Sequence, residues 1–400
     1  MQDLQYLIWL TATAAIPPQK AWALLSAFGG ARAVYEAPAE ALARAVPLTP
    51  AERLRLRLHT LAPAQTVLER CRRGGIRLLP IFDPDYPERL KNIYDPPVLL
   101  YVRGTLPPLG RMAAITVVGT RRCTPYGALT AERFGYQLSA AGAAVISGMA
   151  EGVDSAAHRG ALRGPTPTVA VFGTAIDGCY PASNGGLLRD ILRAGAAVSE
   201  YPPGSKTPKG AFPRRNRILA GLSLGVLVVE APAHSGALIT AGLALDQGRD
   251  VFAVPGGIDA PASAGANELI QNGARLVRSV ADILREYQGV YDFSPPAAAE
   301  AAEPAAAVAA AYAPRPRPAA PAPAASPVPP APEPHPASAA APAPAAPLLA
   351  ALADGPLPFD ALLARAGMTA TEALALLTVL ELRGLIRQLP GRVFERVPRA

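Results

Sequence analysis

The sequence predicts an α/β protein: an extended Rossmann-like, doubly wound parallel sheet, with a small helical domain before it and a winged-helix domain after it. Three observations predict this. Residues 74–293 alternate short apolar runs with helical patterns, as parallel strands joined by crossover helices do. Three of those runs end in glycine-bearing turns. A stretch almost entirely of Ala and Pro then sets apart a last segment that reads as helices and a hairpin.

Residues 1–73 are the predicted helical domain. MQDLQYLIWLTATAA is apolar, but Asp3 stands where a signal peptide needs positive charge and Pro17-Pro18 follow, so a buried helix is expected. Further helices are expected at 19–28, 39–46 and 63–73, split by Gly29-Gly30 and Pro47. IPPQKAWALLSAFGG has the outline of a SAM or helix-hairpin-helix domain. Pro17 and Pro18 occupy its hairpin, which favours a structural or partner-binding role over DNA contact.

In residues 74–293, strands are expected at 76–79, 98–102, 114–118, 143–147, 168–172, 196–199, 225–229, 251–254 and 275–277. Helices are expected between them, among others at 126–141, 154–162, 236–247 and 267–272. Residues 294–345 cannot bury a core and read as an extended Ala/Pro-rich linker. Residues 346–400 read as three helices and a hairpin turning at Pro390-Gly391, the outline of a winged helix. Thr369 or Thr371 would cap the third helix and Gly384 end it. Arg383, Arg387, Arg392, Arg396 and Arg399 favour DNA contact, while Glu372 and Glu381 on the recognition helix favour protein docking. Both readings stay open.

Lys and Arg number 38 against 31 Asp and Glu, a net charge of +7 over 400 residues. That balance favours a nucleic-acid or other acidic partner. Cys71, Cys123 and Cys179 are isolated and lack metal-ligand spacing, which fits a reducing cytoplasm with neither disulfides nor zinc. No run is long and apolar enough to suggest a membrane span.

The first core strand runs into VVGTRRCTPYG, where Gly119 and Thr120 form a turn into a helix, an arrangement that binds anions. Arg121 and Arg122 follow, placed to clamp phosphate. The dinucleotide fingerprint is absent, and the second strand ends in Ser147-Gly148 rather than a ribose-binding acid, so no NAD and no other cofactor is expected. In SGMAEGVDSAAH, Asp154 reads as an N-cap or structural carboxylate and His158 as a core histidine. GTAIDGCYPASN is the third turn, and the three should line one crevice at the strands' carboxyl ends.

The densest basic stretch is SKTPKGAFPRRNRILAGL, residues 205–222. It gathers Lys206, Lys209, Arg214, Arg215 and Arg217 around Phe212 and Asn216, and holds two of the chain's four lysines. Pro208 and Pro213 stiffen it, and a helix should begin near Arg214 with its free N–H groups facing the same place. Cations, a helix N-terminus and a stackable ring suit a polyanion that carries bases. Ser235-Gly236 reads as another helix start offering N–H groups. Gly221-Leu-Ser-Leu-Gly225 matches the nucleophile-elbow pattern, but a helix precedes and a strand follows, the reverse of what an elbow needs. His234 and Ser235 are neighbours in sequence, which rarely makes a catalytic pair, and no paired carboxylates or metal ligands stand out.

Taken in order, VVGTRR, SGMAEGVDSAAHRGAL, FGTAIDGCYP, SEYPPG, FPRRNRILAGLS, VVEAPAHSGALITAGLALDQGRDVFAVPG and GANELIQNGA resemble the motif series of the DprA/Smf family over about residues 76–285. The resemblance implies a non-catalytic, cytoplasmic homodimer that binds single-stranded DNA. It implies protection of incoming DNA in natural transformation and loading of the RecA recombinase, with single-stranded-DNA-binding protein as a further partner. It implies that Arg121 grips phosphate, that Lys209 is its basic partner and that Phe212 contacts a base. Thr120 stands where the family usually has Ser, and Ala175 where it often has Gly. The alternative is a nucleotide-processing hydrolase of the lysine-decarboxylase-like Rossmann group, which VPGGIDAPASAGANEL superficially resembles. There Gly256-Gly257 are present, but Ile258-Asp259 interrupt the run. A third reading is a regulator acting through its winged helix.

Overall fold

The computed structural model describes residues 3–294, 345–389 and 393–397. They fall in two compact units, Met1–Arg315 and Pro316–Ala400. Nearly all of the expected linker, the hairpin turn at Pro390-Gly391, Arg392 and Arg399 lie outside the described residues.

The first unit opens with α1 (Leu4–Ile8), which runs on as a π-helical turn over Trp9–Thr13 and buries Leu7, Ile8, Trp9 and Leu10. Then come α2 (Pro18–Phe28), α3 (Ala31–Glu36), α4 (Ala39–Ala45), α5 (Pro50–Leu56) and α6 (Ala62–Arg73). The sequence reading did not anticipate α3 and α5. The latter is set by a capping box, Thr49 accepting from the Glu52 N–H at 3.2 Å while Glu52 accepts from the Thr49 N–H at 2.7 Å. These helices are not a compact unit of their own: Leu7, Trp9 and Leu24 belong to the same apolar core as Leu79, Leu99 and Val198.

The strands are β1 (Arg77–Pro80), β2 (Leu99–Gly104), β3 (Ala114–Val118), β4 (Ala144–Ser147), β5 (Thr168–Phe172), β6 (Ala196–Ser199), β7 (Gly225–Val228), β8 (Asp250–Ala253) and β9 (Arg275–Leu276). All nine lie within a residue or two of expectation. They form one sheet in the order β1-β2-β6-β5-β4-β3-β7-β8-β9. The β1–β2 and β2–β6 pairs are antiparallel and the rest parallel.

The helices around this sheet are α7 (Glu88–Lys91), α8 (Pro125–Ala140), α9 (Val153–Leu162), α10 (Gly185–Ala194), α11 (Ala211–Leu222), α12 (Gly236–Asp246), α13 (Ala264–Gln271) and α14 (Val280–Leu284). Alternate strand residues serve opposite faces. Ala114 and Val118 join the core under α10, α11 and α12, whereas Ile115 and Val117 join the core under α8, α9 and α14. The chain builds outward from β3 through β4, β5 and β6, then crosses to β7 on the other side of β3. The carboxyl end of β3 is therefore the switch point at which open α/β sheets bind ligands.

One boundary is a correction that matters. α11 starts at Ala211, not near Arg214, with Gly210 as a left-handed N-cap, so Phe212 and Pro213 belong to its first turn. In the second unit, α15 (Ala346–Ala351), β10 (Leu357–Pro358), α16 (Phe359–Ala366), α17 (Ala370–Leu382), β11 (Ile386–Leu389) and β12 (Val393–Arg396) make three helices and a sheet of order β10-β12-β11. Thr369, rather than Thr371, caps α17 through a capping box with Glu372. Arg387 is engaged across the hairpin by Glu395.

Candidate nucleic-acid interface

A crevice of about 590 Å³ opens at the carboxyl end of β3. Gly119, Thr120, Arg121 and Arg122 form one wall, the first turns of α11 the second, and Ser235 and Gly236 at the start of α12 the third. A recess of about 40 Å³ adjoins it, lined by Gly148, Glu151, Tyr180 and Pro181 together with Arg121, Phe212 and Arg215, which border both spaces.

The β3 turn is held from beneath by Glu230, which follows the end of β7 and is buried. Its carboxylate accepts from the Thr124 N–H and hydroxyl, each at 2.8 Å, and its carbonyl from the Thr120 N–H at 2.7 Å. A Cβ on Gly119 would stand 2.6 Å from the Val153 side chain and 2.7 Å from the Glu230 carbonyl, so only glycine lets this turn approach. Arg121 and Arg122 emerge from it exposed.

The β4 turn is held by Arg215 and Asp154, both buried. The Arg215 guanidinium donates to the Gly148 carbonyl at 2.8 Å, to the Asn216 side-chain oxygen at 3.2 Å and to the Val171 carbonyl. Asp154 is a structural carboxylate, not an N-cap: it accepts from the N–H groups of Gly148 at 3.1 Å and Ala150 at 3.3 Å. A Cβ on Gly148 would meet the Arg215 guanidinium at 2.6 Å. Burial pulls the Arg215 pKa down to about 10, against the pull of Asp154 and with some help from Arg121. Burial likewise raises the Asp154 carboxyl above its usual value, opposed by Arg215 and the two N–H donors.

Phe212 stands between two groups. The Arg121 guanidinium lies over its ring, 5.5 Å from the centroid, and the Tyr180 ring lies 5.3 Å away, tilted by 43°. Tyr180 is 51% exposed. A cation, an exposed aromatic and a half-buried one therefore meet where the recess adjoins the crevice, a surface on which a base can stack while its phosphate meets a guanidinium.

The structure brings Gly119, Thr120, Arg121, Arg122, Phe212, Asn216, Ser235 and Gly236 to the crevice and Gly148 to its recess. Asn216 bridges to α12, donating to the Gly236 carbonyl at 3.5 Å. Ser235 caps α12 by accepting from the Ala237 N–H at 3.3 Å. Lys209 is exposed on the loop before α11. It lines neither the crevice nor its recess, and four further expected residues stand elsewhere. Ser147 is fully buried, its hydroxyl tying β4 to the Val117 carbonyl at 2.6 Å. Arg217 is buried in an ion pair with Glu200 at 2.7 Å and Asp95 at 3.1 Å. Lys206 and Arg214 border a different cavity, Arg214 lying 3.6 Å from Glu200. His158 is core, its Nδ1 2.8 Å from the Thr168 hydroxyl. The sequence gives no role to Tyr180 or Glu230, and it counts Arg215 among the cations for a polyanion, whereas that guanidinium is spent on the Gly148 and Val171 carbonyls. A carboxylate closing the apolar run VVE was the one visible signal, whereas the Tyr180–Phe212 pairing is purely tertiary.

Cys71, Cys123 and Cys179 are free thiols. Among the described residues, no cluster of His, Cys, Asp and Glu could hold a metal ion, and no helix is long and apolar enough to cross a membrane.

The family described as DNA recombination-mediator protein A matches residues 77–288, and the DprA winged helix domain matches residues 329–392. The DNA processing protein DprA of Streptococcus pneumoniae is 45% identical over 208 residues, 52% of this chain and 73% of that protein. Its counterpart in Bacillus subtilis is 40% identical over 220 residues, 55% of this chain and 74% of that protein. The X-ray structure of the pneumococcal protein superposes with a TM-score of 0.63 at 36% identity, covering 70% of this chain and 97% of that one.

Proposed function

The chain belongs to the DNA recombination-mediator protein A family, and from that premise we propose that it binds single-stranded DNA in the crevice at the end of β3 without acting on it chemically. The observation that carries the reading is the Arg121–Phe212–Tyr180 cluster. Exposed base faces and a flexible backbone are what a single strand offers and a duplex withholds. Arg121 grips phosphate, with Lys209 as its partner, and Phe212 contacts a base. The N–H groups at the start of α12, beside Ser235 and Gly236, add partial positive charge on the opposite wall. Both buried carboxylates beside the crevice, Asp154 and Glu230, are occupied by backbone donors, which supports binding rather than hydrolysis.

In the cell this activity would protect incoming DNA during natural transformation and deliver it to the RecA recombinase, with single-stranded-DNA-binding protein on the same strand. The free thiols fit a reducing cytoplasm. Assembly is as a homodimer through the α/β unit. The sheet's open edge, where β9 leaves Arg275 and Leu276 exposed, is a surface that a second copy could extend. A gel-shift comparison of single- and double-stranded DNA at two salt concentrations tests the proposal. Preference for the single strand at both is expected, and equal binding of the two forms would reject it.

A further inference from the structure

Lys206 and Arg214 border a second cavity, of about 330 Å³, between the chain around residues 11–18 and the loop that leads into α11. We propose that this cavity is a subsite for one further nucleotide of the same strand, with the base inside and its phosphate at the rim. The proposal rests on the single-strand reading of the crevice.

The volume lies within the range of small-ligand sites. Its walls include Ile16, Pro17, Pro18, Leu99 and Pro202, whose apolar faces suit the face of a base. Tyr201 also lines it, and the Tyr201 hydroxyl is buried without a hydrogen-bond partner. Buried hydroxyls are normally paired, and the polar edge of a base would pair this one. Glu200 lies in the lining too, but its carboxylate is engaged by Arg217 at 2.7 Å and by Arg214 at 3.6 Å. That leaves Lys206, exposed at the rim, to meet a phosphate. The cavity and the crevice lie on two faces of the same helix start. Phe212 in the first turn of α11 borders the crevice and Arg214, two residues on, borders the cavity. A strand that leaves the crevice would reach this opening by passing over the first turn of α11.

The test uses the full chain and a length series of oligothymidylates. Ala12 is an exposed residue of the cavity wall, so Ala12→Phe fills the space without touching the core. Ala12→Phe and Lys206→Ala should each weaken binding of long oligomers about tenfold, or ~1.4 kcal/mol, and match wild type at the shortest lengths that bind. Phe212→Ala should weaken binding at every length. A thiothymidine-substituted oligomer should photocrosslink to the peptide containing Tyr201, and Ala12→Phe should abolish that adduct. Wild-type affinity of Ala12→Phe and Lys206→Ala at all lengths, with Phe212→Ala still impaired, would overturn the subsite and leave the crevice reading intact. A Lys206→Ala loss equal at all lengths would mean charge alone and also overturn it. No effect of Phe212→Ala would sink both readings.

Discussion

Replacing Arg215 by Met tests whether the crevice is built on a buried charge. Arg215 is 6% exposed and donates to two main-chain carbonyls, those of Gly148 and Val171, and to Asn216. Methionine is an apolar chain of comparable length that keeps much of the packing and none of the donors. The variant removes all three donated bonds and the positive charge that opposes the desolvation of the buried Asp154 carboxylate. Removing one member of a buried charge pair costs about 3–5 kcal/mol, and each unpaired buried acceptor accounts for about 1–3 kcal/mol of such losses. We expect a net loss of about 3–5 kcal/mol, a large share of the ~5–15 kcal/mol that holds a folded domain together. Urea unfolding followed by circular dichroism measures it. Asp154→Asn in the same background should cost less than the sum of the single changes, because the stranded charge is then gone. Asp154 already titrates above its ordinary value, and losing Arg215 raises it further. The variant's penalty therefore shrinks as pH falls into the carboxyl range, where a raised carboxyl takes up its proton in the folded state. An Arg215→Met protein within about 1 kcal/mol of wild type, or strict additivity with Asp154→Asn, would refute the reasoning.

Three further outcomes are expected. Phe212→Ala should weaken single-strand binding by about 1–3 kcal/mol at unchanged salt dependence, whereas Lys209→Ala should lower the salt slope by about one counterion; isotherms across a salt series separate them. Arg217→Ala should cost about 1.5–3 kcal/mol of stability, because it removes the buried guanidinium that pairs with Glu200 at 2.7 Å and Asp95 at 3.1 Å, yet leave the salt slope alone; a slope change would return Arg217 to the DNA. Burial holds His158 at about 3, below its ordinary 6.5, so the unfolded chain binds a proton across that window and the folded chain does not. Stability present at neutral pH is then lost as pH falls from 6.5 toward 3, by up to about 1.4 kcal/mol per pH unit. Urea midpoints of His158→Gln over that range should fall less steeply, and an unchanged acid limb would contradict this.

The sheet was legible because its strands are buried on both faces and read as unbroken apolar runs such as Ala114–Val118 and Thr168–Phe172. The short helices α3 and α5 were not: the six residues of α3 carry too little periodicity to stand apart from a loop, and the Thr49–Glu52 capping box that opens α5 was the signal left unread. Within the basic stretch, composition grouped residues that the structure divides between two faces of one helix. Once α11 begins at Ala211, Phe212, Arg215, Asn216 and Leu219 fall at i, i+3, i+4 and i+7 and border the crevice, while Arg214 and Arg217 share the other face with Glu200. A helix started at Arg214 hides that division. Ser147 was misassigned for a related reason: a hydroxyl at a strand end serves a ligand or the neighbouring strand, and only the sheet order puts the Val117 carbonyl beside it.

The central claim is that the crevice, through Arg121 and Lys209, holds single-stranded DNA. Equilibrium binding of a fluorescent oligothymidylate and of a duplex to the Arg121→Ala, Lys209→Ala double variant tests it most directly, with the fold checked by circular dichroism. Neither side chain is buried, so the variant should fold as wild type does. The account predicts loss of most single-strand affinity, a salt slope reduced by about two counterions, and loss of the preference over duplex. A folded double variant that binds the single strand at wild-type strength would contradict it.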